Sequence, residues 1–176
     1  AASDVYKRQN QNLDELHHNK NCPYAIVLLD LDHFKNINDQ FGHHMGDMVL
    51  IAVSQKLGLH LRESDVVGRF GGEEFILILK QSSALKARQI AERCRAAIED
   101  LVIQNEDGRV IRITASFGIA LATDKWKPQQ LLDQADKALY AAKASGRNQI
   151  KCYLEINPGE IKYSAACADT QHISPN

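Results

Sequence analysis

The chain has 176 residues, enough for one domain with a full hydrophobic core and some extra length at the ends. Its 21 basic and 22 acidic residues nearly balance, which excludes the broad basic footprint of a nonspecific nucleic-acid binder. No apolar run approaches membrane-spanning length and no signal-peptide pattern opens the chain. Cys22, Cys94, Cys152 and Cys167 are too scattered for a zinc site or a disulfide framework, so a reduced, cytoplasmic location with no membrane contact is expected.

Residues 1–9 show no periodicity and are expected to be a remnant foreign to the domain, which then spans 10–153. A short helix end fits Gln11–Asn19, stopped by Pro23. From Tyr24 to Asp32 both alternating faces are apolar, so a central strand is expected, ending in Asp30 and Asp32 on the same side. His33 to Gly46 is polar, with Phe34, Ile37 and Phe41 at helical spacing, which predicts a short helix and then a loop. Asp47 stands where an N-cap would, ahead of a helix to Leu61 whose apolar stripe is Leu50, Val53, Leu57 and Leu61. The two histidine pairs, His17-His18 and His43-His44, lack ligand partners at useful spacing and are expected at the surface.

Two apolar runs, Val66–Phe70 and Phe75–Leu79, flank Gly71-Gly72 and predict a hairpin whose turn uses the positive φ open to glycine. Glu73 and Glu74 open the second strand, at the rim of a core, where charge must be solvated, paired or bound to a cation. If the sheet brings the Asp30 strand beside this hairpin, three carboxylates converge into a site for a hard cation such as Mg²⁺. Ser82-Ser83 caps a helix over Ala84–Leu101, and Val110–Thr123 reads as one long strand. Pro128 suits the first turn of a helix to Ala144, with Gly146 just past its end. Gln149–Tyr153 is the last strand, and 154–176 is expected to be a poorly ordered tail. The order is β-α-α-β-β-α-β-α-β: an α/β (α+β) domain with one central mixed sheet of five strands and helices packed on it.

These pieces resemble the GGDEF family of diguanylate cyclases, from Tyr24 to Tyr153. The signature stands as Gly71-Gly72-Glu73-Glu74-Phe75, and Asp30-Leu31-Asp32-His33-Phe34-Lys35-Asn36-Ile37-Asn38-Asp39 precedes it, with Phe41-Gly42-His43 and Gly46-Asp47. Ser116-Phe117-Gly118-Ile119-Ala120, Ala135–Tyr140 and Ala141–Asn148 follow in order. The resemblance implies a palm-like nucleotidyl-cyclase fold and the condensation of two GTP into cyclic di-GMP with release of two pyrophosphates. Each domain would hold one GTP, so a homodimer is implied. Asp30, Glu73 and the Leu31 carbonyl match the ligands of Mg²⁺ or Mn²⁺, and Glu74 stands close enough to bind a second ion or assist deprotonation. Asp32 fits better as a structural partner.

By the same pattern Asn38 and Asp47 read guanine, although Asp47 also suits a plain helix cap. Lys35, Lys143 and Arg147 match phosphate contacts; for the last two, complementing a helix C-terminus is the bland alternative. The backbone of His33, Phe34 and Lys35 could cradle phosphate at a helix start, and Gly71 and Gly72 let a nucleotide approach the turn. Arg62 and Asp65 fit the family's RxxD inhibitory site for the product, against the alternative of a solvated link. The family's opening Asp-x-Leu-Thr-Gly-Leu-x-Asn-Arg turn has no counterpart here, so a truncated N-terminal edge is expected, in a chain that could be the cytoplasmic part of a longer sensor. The rival function is a weakly active or inactive module that binds GTP or cyclic di-GMP. A cyclase making other cyclic dinucleotides is disfavoured by Asp47.

Overall fold

A computed structural model describes residues 24–105, 107–122 and 127–158. The expectations for residues 1–9, for Gln11–Asn19 and for the tail beyond Pro158 lie outside the described residues. β1 (Tyr24–Leu31) is buried at all eight positions, as a strand apolar on both faces must be. It pairs antiparallel with β3 (Glu74–Lys80) on one side and with β6 (Ala115–Leu121) on the other. β2 (Val66–Arg69) extends the β3 edge, and β7 (Ile150–Cys152) runs parallel to β6. The result is a five-stranded mixed sheet in the order β2-β3-β1-β6-β7.

Period-two alternation divides the core between the two faces of this sheet. Val27, Leu29 and Leu31 of β1 and Phe75, Leu77 and Leu79 of β3 pack against α1 (Phe34–Phe41), α2 (His43–Leu59) and α3 (Ala84–Glu99). Ile26, Leu28, Ile76 and Ile78 point the other way, to Leu131, Ala135 and Leu139 of α4 (Pro128–Ala144). Gly118 permits the close approach of α4 to β6: a Cβ there would stand 2.1 Å from the Ala135 carbonyl oxygen and 2.2 Å from the Leu139 nitrogen. α4 ends in paired bonds from the Gly146 N–H to Lys143 and from the Arg147 N–H to Ala142, with Gly146 at φ 112. Among the described residues no helix is long and apolar enough to cross a membrane.

Three boundaries differ from the sequence-based expectation. α2 begins at His43, because Gly42 at φ 82 and ψ 162 ends α1 and re-aims the chain, so Asp47 lies inside the helix and caps nothing. The expected long strand from Val110 is two strands. The β1–β6 pairing ends at Leu31–Ala115, with one further bond from the Asp32 N–H to the Thr114 carbonyl at 2.8 Å, and β5 (Val110–Ile111) pairs instead with β4 (Ile103–Gln104). Tyr153 opens a short helix, α5 (Tyr153–Ile156), whose Glu155 carboxylate accepts from the Cys152 N–H at 3.3 Å and meets Arg88 at 2.5 Å.

Candidate active site

The β1–β3 register sets Asp30 directly opposite Glu74. Both share the parity of Ile26, Leu28, Ile76 and Ile78, so both belong to the face covered by α4. α4 delivers the cation: Lys143 Nζ lies 2.8 Å from Asp30 Oδ2, with the carboxylate side chain only 10% exposed. Glu73 joins through the backbone, its carbonyl accepting from the Leu31 N–H at 3.2 Å. Burial pushes the Glu73 carboxyl up from its ordinary value; the charge of Asp30 adds to this, Lys143 opposes it, and Glu74 adds again.

That arrangement fits a hard divalent cation. Burial first and then the Asp30 charge disfavour the ionised form of Glu73, and a cation between the two carboxylates would offset both. Among the described residues no three His, Cys, Asp or Glu side chains converge into a ready-made cage. Mg²⁺ asks for less, one or two carboxylates with water and phosphate oxygens completing its shell. Asp30, Glu73 and the Leu31 carbonyl are the groups that would hold it.

The glycine turn differs from expectation. Neither Gly71 nor Gly72 has positive φ, so backbone freedom does not explain the pair. Space explains Gly71: a Cβ there would lie 2.4 Å from Glu74 Oε2, so the missing side chain makes room for the Glu74 carboxylate. A Cβ on Gly72 would meet nothing within 4 Å, which leaves that side of the turn open. Arg69 closes the turn from behind, donating from Nε to the carbonyls of Gly71 and Gly72 at 3.1 and 3.2 Å and from Nη2 to Gly72 at 2.6 Å. The Phe70 and Gly71 N–H groups donate to the Glu74 carbonyl at 2.8 and 3.2 Å.

Asn38 and Asp47 stand on neighbouring helices. A Cβ on Gly46 would lie 1.9 Å from Asn38 Oδ1, so the Asn38 side chain rests on α2 one residue before the exposed Asp47. His33 precedes α1 at φ 58, and it and Lys35 are exposed, whereas Phe34 is 5% exposed and packs into the core. Phe34 can therefore offer a ligand only its backbone, among first-turn amides that have no partner within the helix. Arg147 is exposed, at φ 63 in the turn after α4.

Arg62 and Asp65 lie apart from these groups. The Arg62 N–H donates to Asp65 Oδ2 at 3.1 Å, and the Lys80 N–H donates to Asp65 Oδ1 at 3.3 Å. Lys80 and Glu74 are the two ends of β3, so this loop is separated from the carboxylates by about 20 Å of strand.

Three contacts escaped sequence reasoning: the Lys143–Asp30 pair, the Arg69 brace, and a cluster on Asp32. Asp32 is 5% exposed and accepts from the hydroxyls of Thr114 and Ser116, both at 2.7 Å, and from the Asn148 N–H at 3.0 Å. Sequence reading expected a backbone or cation partner for Asp32 but named none of these three donors; the parity shared with Asp30 gave only the face. Asn148 in turn bonds Glu99 at 2.8 Å and Arg95 at 2.8 Å. Arg95 and then Asn148 hold the Glu99 carboxyl below its usual range.

Comparison with known proteins bears on the family and the fold. The family profile "Diguanylate cyclase, GGDEF domain" matches residues 5–149. Diguanylate cyclase A of Treponema denticola is 41% identical over 127 residues, 72% of this chain and 34% of that protein. Diguanylate cyclase DosC of Escherichia coli K12 is 37% identical over 131 residues, 74% of this chain and 28% of that protein. The chain thus spans about a third of the length of these curated relatives. Among solved structures, the GGDEF domain of DgcB from Caulobacter crescentus in complex with c-di-GMP superposes with a TM-score of 0.79 at 28% identity, covering 84% of this chain and 89% of that one. The active GGEEF domain of a diguanylate cyclase from Vibrio cholerae gives 0.68 at 32% identity, covering 74% and 83%. With a family match over most of its length and the same fold, the chain belongs to the GGDEF diguanylate cyclase domain family.

Proposed function

We propose that this domain is a working diguanylate cyclase, condensing two GTP into cyclic di-GMP and two pyrophosphates when two copies face each other in the cytoplasm. The observation that carries the reading is the Asp30–Glu74 pair across β1 and β3, with Glu73 beside it and Lys143 already on Asp30. Asp30, Glu73 and the Leu31 carbonyl would hold Mg²⁺ or Mn²⁺, which supplies charge neutralisation at the triphosphate and lowers the pKa of the attacking hydroxyl. Glu74, its carboxylate over Gly71, takes the proton of the ribose 3′-hydroxyl. That oxygen bonds the α-phosphorus of the GTP on the facing domain as the bond to pyrophosphate breaks, and the reciprocal step closes the ring. Lys35, Lys143 and Arg147 bind phosphate oxygens, with the backbone at His33–Lys35 adding N–H donors. Asn38 and Asp47 read guanine, Asp47 accepting from the N1–H and the exocyclic amine, donors that adenine lacks on that edge. Gly72 leaves its side of the turn open for the nucleotide to pass, while Gly71 makes room for Glu74. Arg62 and Asp65 bind product and inhibit.

Incubation with GTP and Mg²⁺, followed by chromatography for cyclic di-GMP and pyrophosphate, tests the reading. Product should form and should vanish in Glu74→Gln. No product from a preparation shown to be dimeric would instead favour a binding module. Unchanged turnover in Glu74→Gln would overturn the assignment of that residue, and unchanged product affinity after Arg62→Ala would overturn the inhibitory site.

A further inference from the structure

Behind Gly146, Arg147 and Asn148 follow one another with left-handed backbones, φ 63 and φ 45. Consecutive non-glycine residues in that region persist only where surrounding contacts over-determine them. Here the contacts converge on Asn148. Its N–H donates to Asp32 Oδ2 at 3.0 Å, its side-chain amide donates to Glu99 Oε1 at 2.8 Å, and its side-chain oxygen accepts from Arg95 Nη1 at 2.8 Å. The flanks are anchored as well: the Arg147 N–H donates to the Ala142 carbonyl at 3.1 Å and the Gln149 carbonyl accepts from the Phe117 N–H at 2.9 Å.

Asp32 is the hub of this arrangement. It is nearly fully buried, and three donors from two separate segments, the Thr114 and Ser116 hydroxyls and the Asn148 N–H, point at its two oxygens. A carboxylate accepts from all three; an amide would have to set its N–H₂ at Oδ1, where the Ser116 hydroxyl can turn to accept it, and would lose the charge that strengthens the bond from the Asn148 N–H. Asp32 follows β1 directly after Leu31, so whatever it fixes is fixed relative to Asp30.

We propose that Asp32 is a positioning residue for the phosphate end of the bound nucleotide: through Asn148 it holds the left-handed turn from which Arg147 reaches the phosphates, in register with Asp30. This deepens the proposed function and rests on it. A purely structural Asp32 would, when altered, weaken every ligand and the fold together. A positioning Asp32 weakens what Arg147 touches and leaves guanine recognition by Asn38 and Asp47 alone.

The test is a set of equilibrium titrations with Mg²⁺ present, followed by backbone amide NMR shifts. The ligands are a GTP analogue with a methylene bridge between its α- and β-phosphates, and guanosine, which carries no phosphate. The proteins are the wild type, Asp32→Asn, Arg147→Ala and the double variant. Asp32→Asn should lose about tenfold in affinity for the triphosphate analogue while guanosine binding stays unchanged, and it should cost nothing further in the Arg147→Ala background. Equal losses for both ligands, or losses that add in the double variant, overturn the inference while leaving the proposed function standing. A wild type that binds no triphosphate analogue overturns both. Should Asp32→Asn not fold, Asn148→Gly keeps the backbone conformation and the N–H but removes the links to Arg95 and Glu99. It should show the same selective loss, and a uniform one refutes the inference equally.

Discussion

Gly71→Ala separates the space-making role of this glycine from any conformational one. The residue has no positive φ, so alanine meets no backbone strain. Its Cβ would lie 2.4 Å from Glu74 Oε2 and 3.4 Å from the Glu74 Cδ. An ordinary carbon–oxygen contact is about 3.3 Å or longer, so the carboxylate oxygen must retreat by about 1 Å. The obstructing atom is the end of a flexible side chain, so the cost to stability is that of a shifted rotamer, about 0.5–1.5 kcal/mol. The cost to chemistry is larger, because displacing a catalytic group by about 1 Å can lose about a hundredfold in rate. Urea denaturation should therefore show near-native stability while cyclic di-GMP formation falls by about two orders of magnitude. Gly72→Ala is the internal control for stability, since its Cβ would meet nothing within 4 Å. Wild-type turnover in Gly71→Ala would refute the placement of Glu74, and a stability loss above about 3 kcal/mol would show that the turn needs glycine for the fold itself.

The sheet and its acids were legible because alternation is a local property. The apolar runs around Val27 and Leu77 fix which side chains share a face, and Asp30 and Glu74 follow from the same parity. Two glycines between two strands were equally legible as a turn but not in their purpose, since the need for Gly71 lies in the position of Glu74 Oε2 rather than in the backbone. Asp47 looked like a cap because His43–Gly46 carries almost no apolar stripe. That helix starts early because of one dihedral pair at Gly42, which no composition reveals. The break before Ala115 depends on where β1 stops offering a partner, and the Lys143–Asp30 and Asp32–Asn148 contacts depend on α4 crossing the end of β1. Such long-range facts have no local signature, so the cations proposed to bind phosphate were placed by resemblance and their anchors were not seen.

Gly118→Ala should be among the most damaging small substitutions in the domain. Its Cβ would meet the Ala135 carbonyl oxygen at 2.1 Å and the Leu139 nitrogen at 2.2 Å, backbone that cannot rotate away, so a loss of about 3 kcal/mol or more is expected by urea denaturation. A loss below about 1 kcal/mol would mean that α4 does not approach β6 so closely. Lys143→Met leaves Asp30 nearly buried without its cation, and should cost the metal-free domain about 2 kcal/mol in the same assay. No measurable change would refute the ion pair. Glu73→Gln should act in the opposite direction, with a pH dependence that follows from sign. Burial, Asp30 and Glu74 raise the folded-state pKa of Glu73 above its ordinary value of 4.5, with Lys143 only partly opposing. The folded state therefore holds this proton more tightly than the unfolded chain, and ionised Glu73 works against folding once the pH exceeds the folded pKa. Glutamine removes that penalty, so Glu73→Gln should raise the melting temperature of the domain in EDTA near neutral pH. The gain should shrink as pH falls through the raised pKa and be gone below about 4.5, where the unfolded chain is protonated as well. Adding Mg²⁺ should stabilise the wild type and not the variant, because glutamine takes away the carboxylate charge that the proposed cation site needs. Calorimetric scans across pH, with and without Mg²⁺, read both effects. A variant less stable than wild type at neutral pH in EDTA would mean that Glu73 is not held against its neighbours' charge, and the carboxylate cluster would lose its rationale as a cation site.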